Sequence, residues 1–198
     1  YQGSCNAIIC TQPSDITGYT ITSESLDLSS NQGFDVTSQC ATGFEGTPTA
    51  TACTTSGEYT LSGCQEITCN QPGDITGYDQ ITETTLTQNG FDVSAQCATG
   101  YESDPDAPGG GPTASSCTTS GEYTLSGCRP IICTRPTDTS GYTINSENLD
   151  LSTGAFYVSA SCDSGDNYTG RAEATSCTTS GPYTLSGCVS DFTCTRPS

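Results

Sequence analysis

Cysteine is the residue type whose number and spacing point most clearly to chemistry in this chain. The 198 residues contain 14 cysteines and no histidine. No two cysteines form a CxxC pair, and closely spaced Cys and His pairs are what the common structural zinc sites use. The spacing therefore predicts disulfide bonds, and with them an oxidising compartment such as the outside of the cell.

Side chains for acid–base or covalent catalysis are scarce. The chain has neither His nor Lys, so the usual general bases and Schiff-base nucleophiles are missing. Its net charge of −18 argues against nucleic acid and anionic membrane surfaces, and no apolar run is long enough to cross a bilayer. We expect no enzyme activity, no cofactor, no nucleic-acid partner and no membrane insertion within this sequence.

Covalent glycans fit the composition better than metals do. Asn167-Tyr168-Thr169 is an N-x-[ST] acceptor. Hydroxyls of a recurring triplet are candidate O-glycan sites: Thr54, Thr55, Ser56, Thr118, Thr119, Ser120, Thr178, Thr179 and Ser180. The alternative is that these hydroxyls simply suit solvated strands and turns. The acidic loops at 102–106 and 163–166 lack EF-hand spacing, so a calcium site has little support.

A segment of twelve residues returns along the chain. Cys53–Cys64 recurs letter for letter at Cys117–Cys128, and again at Cys177–Cys188 with Pro182 in place of Glu. Self-similarity of this kind is typical of an array of small modules.

The repetition divides the chain into residues 10–64, 69–128 and 133–188, which we call repeats 1, 2 and 3. Residues 1–9 look like the tail of a preceding repeat with its linker, and residues 194–198 like the start of a further one. We therefore expect the sequence to come from a longer tandem array.

Side chains of alternating character predict strands in every repeat. From Phe34 to Cys40 the apolar residues and the cysteine share one face, and the same alternation returns at 91–97 and 156–162. We expect a buried disulfide on that face. Residues 58–61 predict a further strand with Tyr59 and Leu61 inward. No stretch has a helical period, so the repeats are predicted to be all-β and rich in loops.

The linkers at 65–68, 129–132 and 189–193 are short, and each ends at a cysteine. Little freedom is expected between modules joined in this way. Four apolar residues are expected to pack there: Ile67, Ile131, Ile132 and Phe192. The spacing favours an extended, semi-rigid rod over loosely connected domains.

Short motifs around the cysteines resemble those of a known family. The repeats open with CxxP at Cys10, Cys69 and Cys133, and CATGF at Cys40 or CATGY at Cys97 follows. These motifs and the four-cysteine repeat are similar to the sushi domain, also called the complement control protein module or short consensus repeat. The resemblance covers nearly the whole chain, and implies small disulfide-stapled β-modules in tandem.

Spacing alone leaves three cysteine connectivities open in each repeat. The resemblance implies that the first cysteine pairs with the third and the second with the fourth. The implied pairs are Cys10–Cys53, Cys40–Cys64, Cys69–Cys117, Cys97–Cys128, Cys133–Cys177 and Cys162–Cys188. Cys5 would be a fourth cysteine and Cys194 a first, each with its partner outside this sequence.

The repeats also depart from the sushi pattern, as a divergent relative would. The family's Trp position holds Tyr59, Tyr123 and Tyr183, and its proline before the last cysteine is replaced by Gly63, Gly127 and Gly187. Repeat 3 reads CDSGDNY, which places an acidic residue, Asp166, where the aromatic residue is expected. Repeat 2 carries an insertion at 104–112, predicted to be a flexible exposed loop.

Two functions are compatible with these features. The first is a structural segment of a secreted or cell-surface, glycosylated rod, fibril or appendage, whose partners are neighbouring copies of the same array. Tyr157 would then be a candidate surface contact. The second is a receptor or adhesin ectodomain, in which repeat 2 or repeat 3 binds a protein or glycan through its divergent loops.

Overall fold

The computed structural model describes residues 6–191 and shows an all-β, disulfide-rich fold. Repeat 1 forms six strands: β1 Cys10–Thr11, β2 Tyr19–Ser25, β3 Asp35–Cys40, β4 Phe44–Thr51, β5 Gly57–Glu58 and β6 Thr60–Glu66. Repeat 3 forms six in the same order: β15 Cys133–Thr134, β16 Tyr142–Asn148, β17 Tyr157–Cys162, β18 Tyr168–Thr175, β19 Gly181–Pro182 and β20 Thr184–Ser190.

Repeat 2 has eight strands because breaks divide two of its long strands. They are β7 Cys69–Asn70, β8 Tyr78–Thr85, β9 Asp92–Cys97, β10 Tyr101–Ser103, β11 Thr113–Ser115, β12 Gly121–Glu122, β13 Thr124–Ser126 and β14 Cys128–Pro130. The insertion predicted as a loop lies between β10 and β11 and is largely exposed.

In the described part of the chain, helix is confined to three single 3₁₀ turns, at Gln88–Gly90, Leu151–Thr153 and Ser164–Asp166. Within residues 6–191, therefore, the structure contains no helix of the length and apolarity that a membrane crossing requires.

Each repeat is built from two-stranded ribbons. In repeat 1, β2 pairs antiparallel with β3, β4 pairs antiparallel with β6, and the short β1 runs parallel to β5. Repeat 3 has the same pairings, with β16–β17, β18–β20 and β15–β19. Ribbons of two strands are marginally stable by themselves. The repeats therefore need further support, which the cysteines provide.

Residues 6–191 contain six disulfides, and the pairs are the six that the sushi resemblance implies: Cys10–Cys53, Cys40–Cys64, Cys69–Cys117, Cys97–Cys128, Cys133–Cys177 and Cys162–Cys188. Closing loops of these lengths stabilises a chain by about 3–4 kcal/mol each in the chain-entropy model, although overlapping loops are not additive. Cys5 and Cys194 lie outside the described residues.

The first–third disulfide of each repeat is more buried than the second–fourth disulfide, which differs from the sequence prediction. Cys10 and Cys53 are 1% and 9% exposed, whereas Cys40 and Cys64 are only half-buried. Cys97 and Cys162 are likewise half-buried. The expectation of a buried disulfide on the face of Cys40 was wrong, because the first–third disulfide and a tyrosine ring occupy the centre of the module.

That ring belongs to Tyr59 in repeat 1, and it is 1% exposed. Phe34 packs edge-on against it with ring centroids 5.6 Å apart. The hydroxyl of Tyr59 donates to Glu24 Oε1 at 2.5 Å, so the polar end of the buried ring is satisfied. Burial, and then the bond to the negative Glu24, raise the pKa of Tyr59 to about 12. Tyr123 and Tyr183 repeat the arrangement in the other modules.

A second aromatic residue packs on a glycine in every repeat. An added Cβ on Gly18 would lie 2.8 Å from the ring of Phe44, and one on Gly141 would lie 2.5 Å from that of Tyr168. Tyr168 is therefore the residue of repeat 3 that corresponds to Phe44 of repeat 1. The prediction that an acidic residue replaces it was wrong, because Tyr168 follows Cys162 by two more positions than Phe44 follows Cys40. The 3₁₀ turn Ser164–Asp166 accommodates the additional length.

The chain divides into two compact units, and the division runs through repeat 2. The first unit extends to Gly73 and includes Glu83–Val93 and Ser115–Thr124. The second contains Asp74–Thr82, Ser94–Ala114 and, of the described residues, 125–191. Each linker between repeats consequently lies inside one unit, together with the faces of both repeats that it joins.

Candidate functional site: the joints between repeats

The contacts around the linker at 65–68 form what we call joint 1, and those around the linker at 129–132 form joint 2. In joint 1 the backbone N–H of Ile67 donates to the carbonyl of Gly43 at 2.8 Å. The carbonyl of Ile67 in turn accepts the N–H of Gln88 at 3.0 Å. The linker is therefore bonded to the repeat before it and to the repeat after it.

Joint 2 repeats this pattern. Ile131 donates to the carbonyl of Gly100 at 2.9 Å and accepts the N–H of Leu151 at 3.0 Å. Ile67 and Ile131 are 5% and 7% exposed, so both pack as predicted. Ile132 is 43% exposed and does not, because successive residues of an extended linker face opposite sides. The prediction for Phe192 lies outside the described residues.

A carboxylate of one repeat accepts a backbone amide of the next. In joint 1, Ser120 N–H donates to both oxygens of Glu45, at 3.1 and 3.2 Å. In joint 2, Ser180 N–H donates to Glu102 Oε2 at 3.0 Å. Glu45 and Glu102 occupy equivalent positions, directly after the aromatic residue that packs on glycine. Both joints thus contain the same charge-assisted hydrogen bond.

The carboxylate in joint 2 has further support. Arg129 Nε lies 3.0 Å from Glu102 Oε1, and its Nη1 lies 3.6 Å from Asp104 Oδ1. The hydrogen bonds from Ser180, and then the bond and charge of Arg129, hold the pKa of Glu102 below its usual value. Glu102 therefore stays ionised at neutral pH and keeps its bond to the next repeat.

The serine of the recurring triplet has a second bond at each linker. Thr68 N–H donates to Ser120 Oγ at 3.2 Å, and Ile132 N–H donates to Ser180 Oγ at 3.1 Å. Before repeat 1, Ile9 N–H makes the same bond to Ser56 Oγ. Sequence reasoning treated these serines as O-glycan candidates and missed this role. The letter-for-letter return of the triplet was the available signal.

The threonines of the triplets are exposed in the structure. They are Thr54, Thr55, Thr118, Thr119, Thr178 and Thr179. O-glycosylation of these residues stays a prediction, and so does N-glycosylation of Asn167, which is also exposed.

Two glycines, Gly43 and Gly100, let the repeats approach closely, and we call them the joint glycines. Both are buried and have φ of +86°. A Cβ on Gly43 would overlap the side chain of Asn89, whose Nδ2 donates to the carbonyl of Thr42 at 3.1 Å. A Cβ on Gly100 would overlap the carbonyl oxygen of Leu151. Any side chain here would therefore both strain the backbone and separate the repeats.

The acidic loops considered for calcium have local partners. Asp104 faces Arg129, and Asp163 Oδ1 accepts the N–H of Gly165 at 3.0 Å. Over residues 6–191, no three or more Cys, His, Asp or Glu side chains converge as ligands for a metal ion. The side chains of the joints bind backbone amides through carboxylate and hydroxyl oxygens.

Comparison with known proteins identified no relative of this chain. None of the family models, curated proteins or solved structures compared with the chain matches it. The likeness to sushi modules therefore rests on the CxxP and CATG[FY] motifs and the four-cysteine repeat described above.

Proposed function

We propose that this chain is a structural segment of a secreted or cell-surface repeat array that builds a glycosylated rod, fibril or appendage. The observation that carries the proposal is that joints 1 and 2 use the same hydrogen bonds at equivalent residues. A repeat that contacts its neighbours through one recurring set of bonds is the unit of a quasi-one-dimensional array.

The joint bonds are suited to fixing neighbouring repeats. Glu45 and Ser120 come from different repeats, and so do Glu102 and Ser180. Bonds to an ionised acceptor typically contribute about 1.5–3 kcal/mol, and less where they are exposed. Each joint adds a buried isoleucine and hydrogen bonds on both sides of the linker. Ordered joints are what a mechanical or spacing element requires.

The composition supports the same proposal. Six disulfides are typical of an oxidising, extracellular setting. The net charge of −18 favours solvation and mutual repulsion of neighbouring chains. Lateral contact would then need a neutral surface. Tyr157, which is 57% exposed, is a candidate contact between copies of the array.

The experiment is electron cryomicroscopy of the native material from which the chain comes, without fractionation. We expect continuous filaments with an axial repeat of a small number of modules, and extra density at glycosylated residues. Short separate rods at every concentration would contradict the proposal. That result would favour the receptor or adhesin hypothesis, with the loop at 104–112 as the first place to seek a ligand.

A further inference from the structure

The edge of repeat 3 that corresponds to the joint-forming edges of repeats 1 and 2 carries different residues. The carbonyl of Asn167 accepts the N–H of Asp191 at 2.8 Å. This is the bond that Gly43 makes with Ile67 and Gly100 with Ile131. Asn167 is therefore the structural equivalent of the joint glycines, a relationship that the insertion in CDSGDNY conceals.

The backbone explains why asparagine can stand there. Asn167 has φ of +58°, in the left-handed region that the joint glycines also occupy. Asparagine is among the L residues that adopt this region most readily. The turn is therefore preserved in repeat 3, but its Cβ now projects where the other two repeats have none.

The residue that bonds to this position also changes. Repeat 3 has Asp191 at the hydrogen-bonding position of Ile67 and Ile131. A charged side chain thus stands where the two joints have a buried apolar one.

Repeat 3 also differs at the position of the joint carboxylates Glu45 and Glu102. The strand registers pair Glu45 with Gln65, Glu102 with Arg129 and Thr169 with Val189. Thr169 is therefore the equivalent of the two joint carboxylates. The change from Glu to Thr removes the carboxylate that accepts the amide of the following repeat in joints 1 and 2. The same change completes the N-glycosylation triplet Asn167-Tyr168-Thr169.

We propose that Asn167 carries an N-linked glycan on the edge where repeats 1 and 2 dock their successors, so that repeat 3 cannot form a joint of this kind. A Cβ alone overlaps the next repeat at Gly43 and at Gly100, and a sugar on the same position needs far more space. Repeat 3 thus ends a run of docked repeats with a glycan-bearing edge. The inference rests on the secretion proposed above, but it does not require filament formation.

The first test maps the glycan on the native protein. Enzymatic release of N-glycans in heavy-oxygen water converts a modified asparagine to labelled aspartate, which mass spectrometry locates. We expect the label at residue 167. A peptide that carries unmodified Asn167 in native material would overturn the proposal, whether or not filaments are seen.

The second test transfers the edge of repeat 3 to joint 2. The variant G100N/E102T creates the acceptor triplet at residues 100–102, and E102T alone serves as the control because it keeps the joint glycine. Both are expressed in a glycosylating secretory host, and hydrogen exchange of the Leu151 amide is followed by NMR. We expect exchange at least about 10-fold faster in the double variant than in the control.

Exchange of the β16–β17 ladder amides in the same spectra checks that repeat 3 is folded. With that ladder intact, equal Leu151 exchange in the glycosylated double variant and in E102T would overturn the claim that this edge excludes docking. Equal ladder exchange with faster Leu151 exchange would support it.

Discussion

The backbone N–H of Ser180 donates to Glu102 Oε2 at 3.0 Å, although the two residues lie 78 positions apart in the sequence. Ser120 and Glu45 make the same bond one repeat earlier. In each pair the carboxylate and the amide belong to different repeats. The bond therefore fixes the position of one repeat on the next, and variants of these residues test the docking of the repeats directly.

Replacing Glu102 with Gln should loosen joint 2. The amide oxygen still accepts a hydrogen bond, but without the charge that strengthens the bond from Ser180 and the pair with Arg129. We expect hydrogen exchange of the Ser180 amide to rise about 3- to 10-fold, as loss of roughly 1 kcal/mol implies. The control is E66Q, an exposed carboxylate on β6. A Ser180 amide that exchanges equally fast in E102Q and in the parent would contradict the assignment.

Acid should open the same joint in a defined range. The folded-state pKa of Glu102 lies below its ordinary value of 4.5, first because of Ser180 and then because of Arg129. A lowered carboxyl pKa contributes stability that is fully present above pH 4.5 and is lost as pH falls through the folded value. The NMR shift of the Ser180 amide should therefore change only below about pH 4.5. A transition that is centred above that pH, or one that persists in E102Q, would contradict this cause.

The joint glycine Gly100 has a matched control in the same unit. Gly100 and Gly110 both have positive φ, but only Gly100 lies against another repeat. Gly110→Ala adds a Cβ in open space and should cost about 1 kcal/mol of backbone strain. Gly100→Ala adds similar strain and also overlaps the carbonyl of Leu151. Exchange of the Leu151 amide should rise in G100A and stay near the parent value in G110A, and equal effects would argue against close docking.

The buried tyrosines should make the folded protein less stable in alkali. Burial, followed by the bond to Glu147, raises the pKa of Tyr183 from 10.0 to about 12. Folding thus favours the neutral phenol, so this contribution is complete below pH 10 and is lost as pH rises through about 12. It amounts to at most about 3 kcal/mol for each such tyrosine.

The variant Y183F isolates this effect in repeat 3. It should cost about 1 kcal/mol at pH 7, where the bond to Glu147 is lost, and should reduce the fall in stability between pH 10 and 11 in denaturant titrations. The control Y157F removes a hydroxyl from a ring that is 57% exposed. If Y183F and the parent lose stability equally in alkali, the tyrosine is not the cause.

The disulfides should be reduced in a fixed order. Cys10 and Cys53 are almost fully buried, whereas Cys40 and Cys64 are half-buried and more open to an attacking thiolate. Brief treatment with a mild reductant, followed by alkylation and peptide mapping, should label Cys40 and Cys64 first. The equivalent pairs of repeats 2 and 3 should follow the same order. Earlier labelling of Cys10 would contradict the burial argument.

The sequence was most informative where side chains alternate on a strand. The exposed Asp35, Thr37 and Gln39 of β3 were predicted from period two alone, because one face of a ribbon packs and the other is solvated. The strand predicted at 58–61 was less accurate. The strand is interrupted at Tyr59, whose ring is buried in the core. As a result β5 pairs with β1, and β6 pairs with β4.

The packing of Ile67 and Ile131 in the joints was predicted, but the hydrogen bonds between repeats could not be. Glu102 is one of 22 acidic residues, and nothing local marks it as the partner of an amide in the following repeat. Asn167 was recognised as a glycan acceptor, but its equivalence to Gly43 and Gly100 required the hydrogen bond from Asp191. Contacts between repeats depend on three-dimensional register, which composition and spacing do not encode.

Hydrogen exchange at four joint amides, those of Ile67, Ser120, Ile131 and Ser180, tests the central claim most directly. The chain is measured intact, with its disulfides formed, at neutral pH. If the repeats are docked through recurring joints, these amides should be protected to a degree comparable with the ladder amides of β2 and β3. Exchange of Ser120 and Ser180 at the rate of an unstructured peptide, with the ladders still protected, would show repeats that are connected without being docked, and would contradict the account.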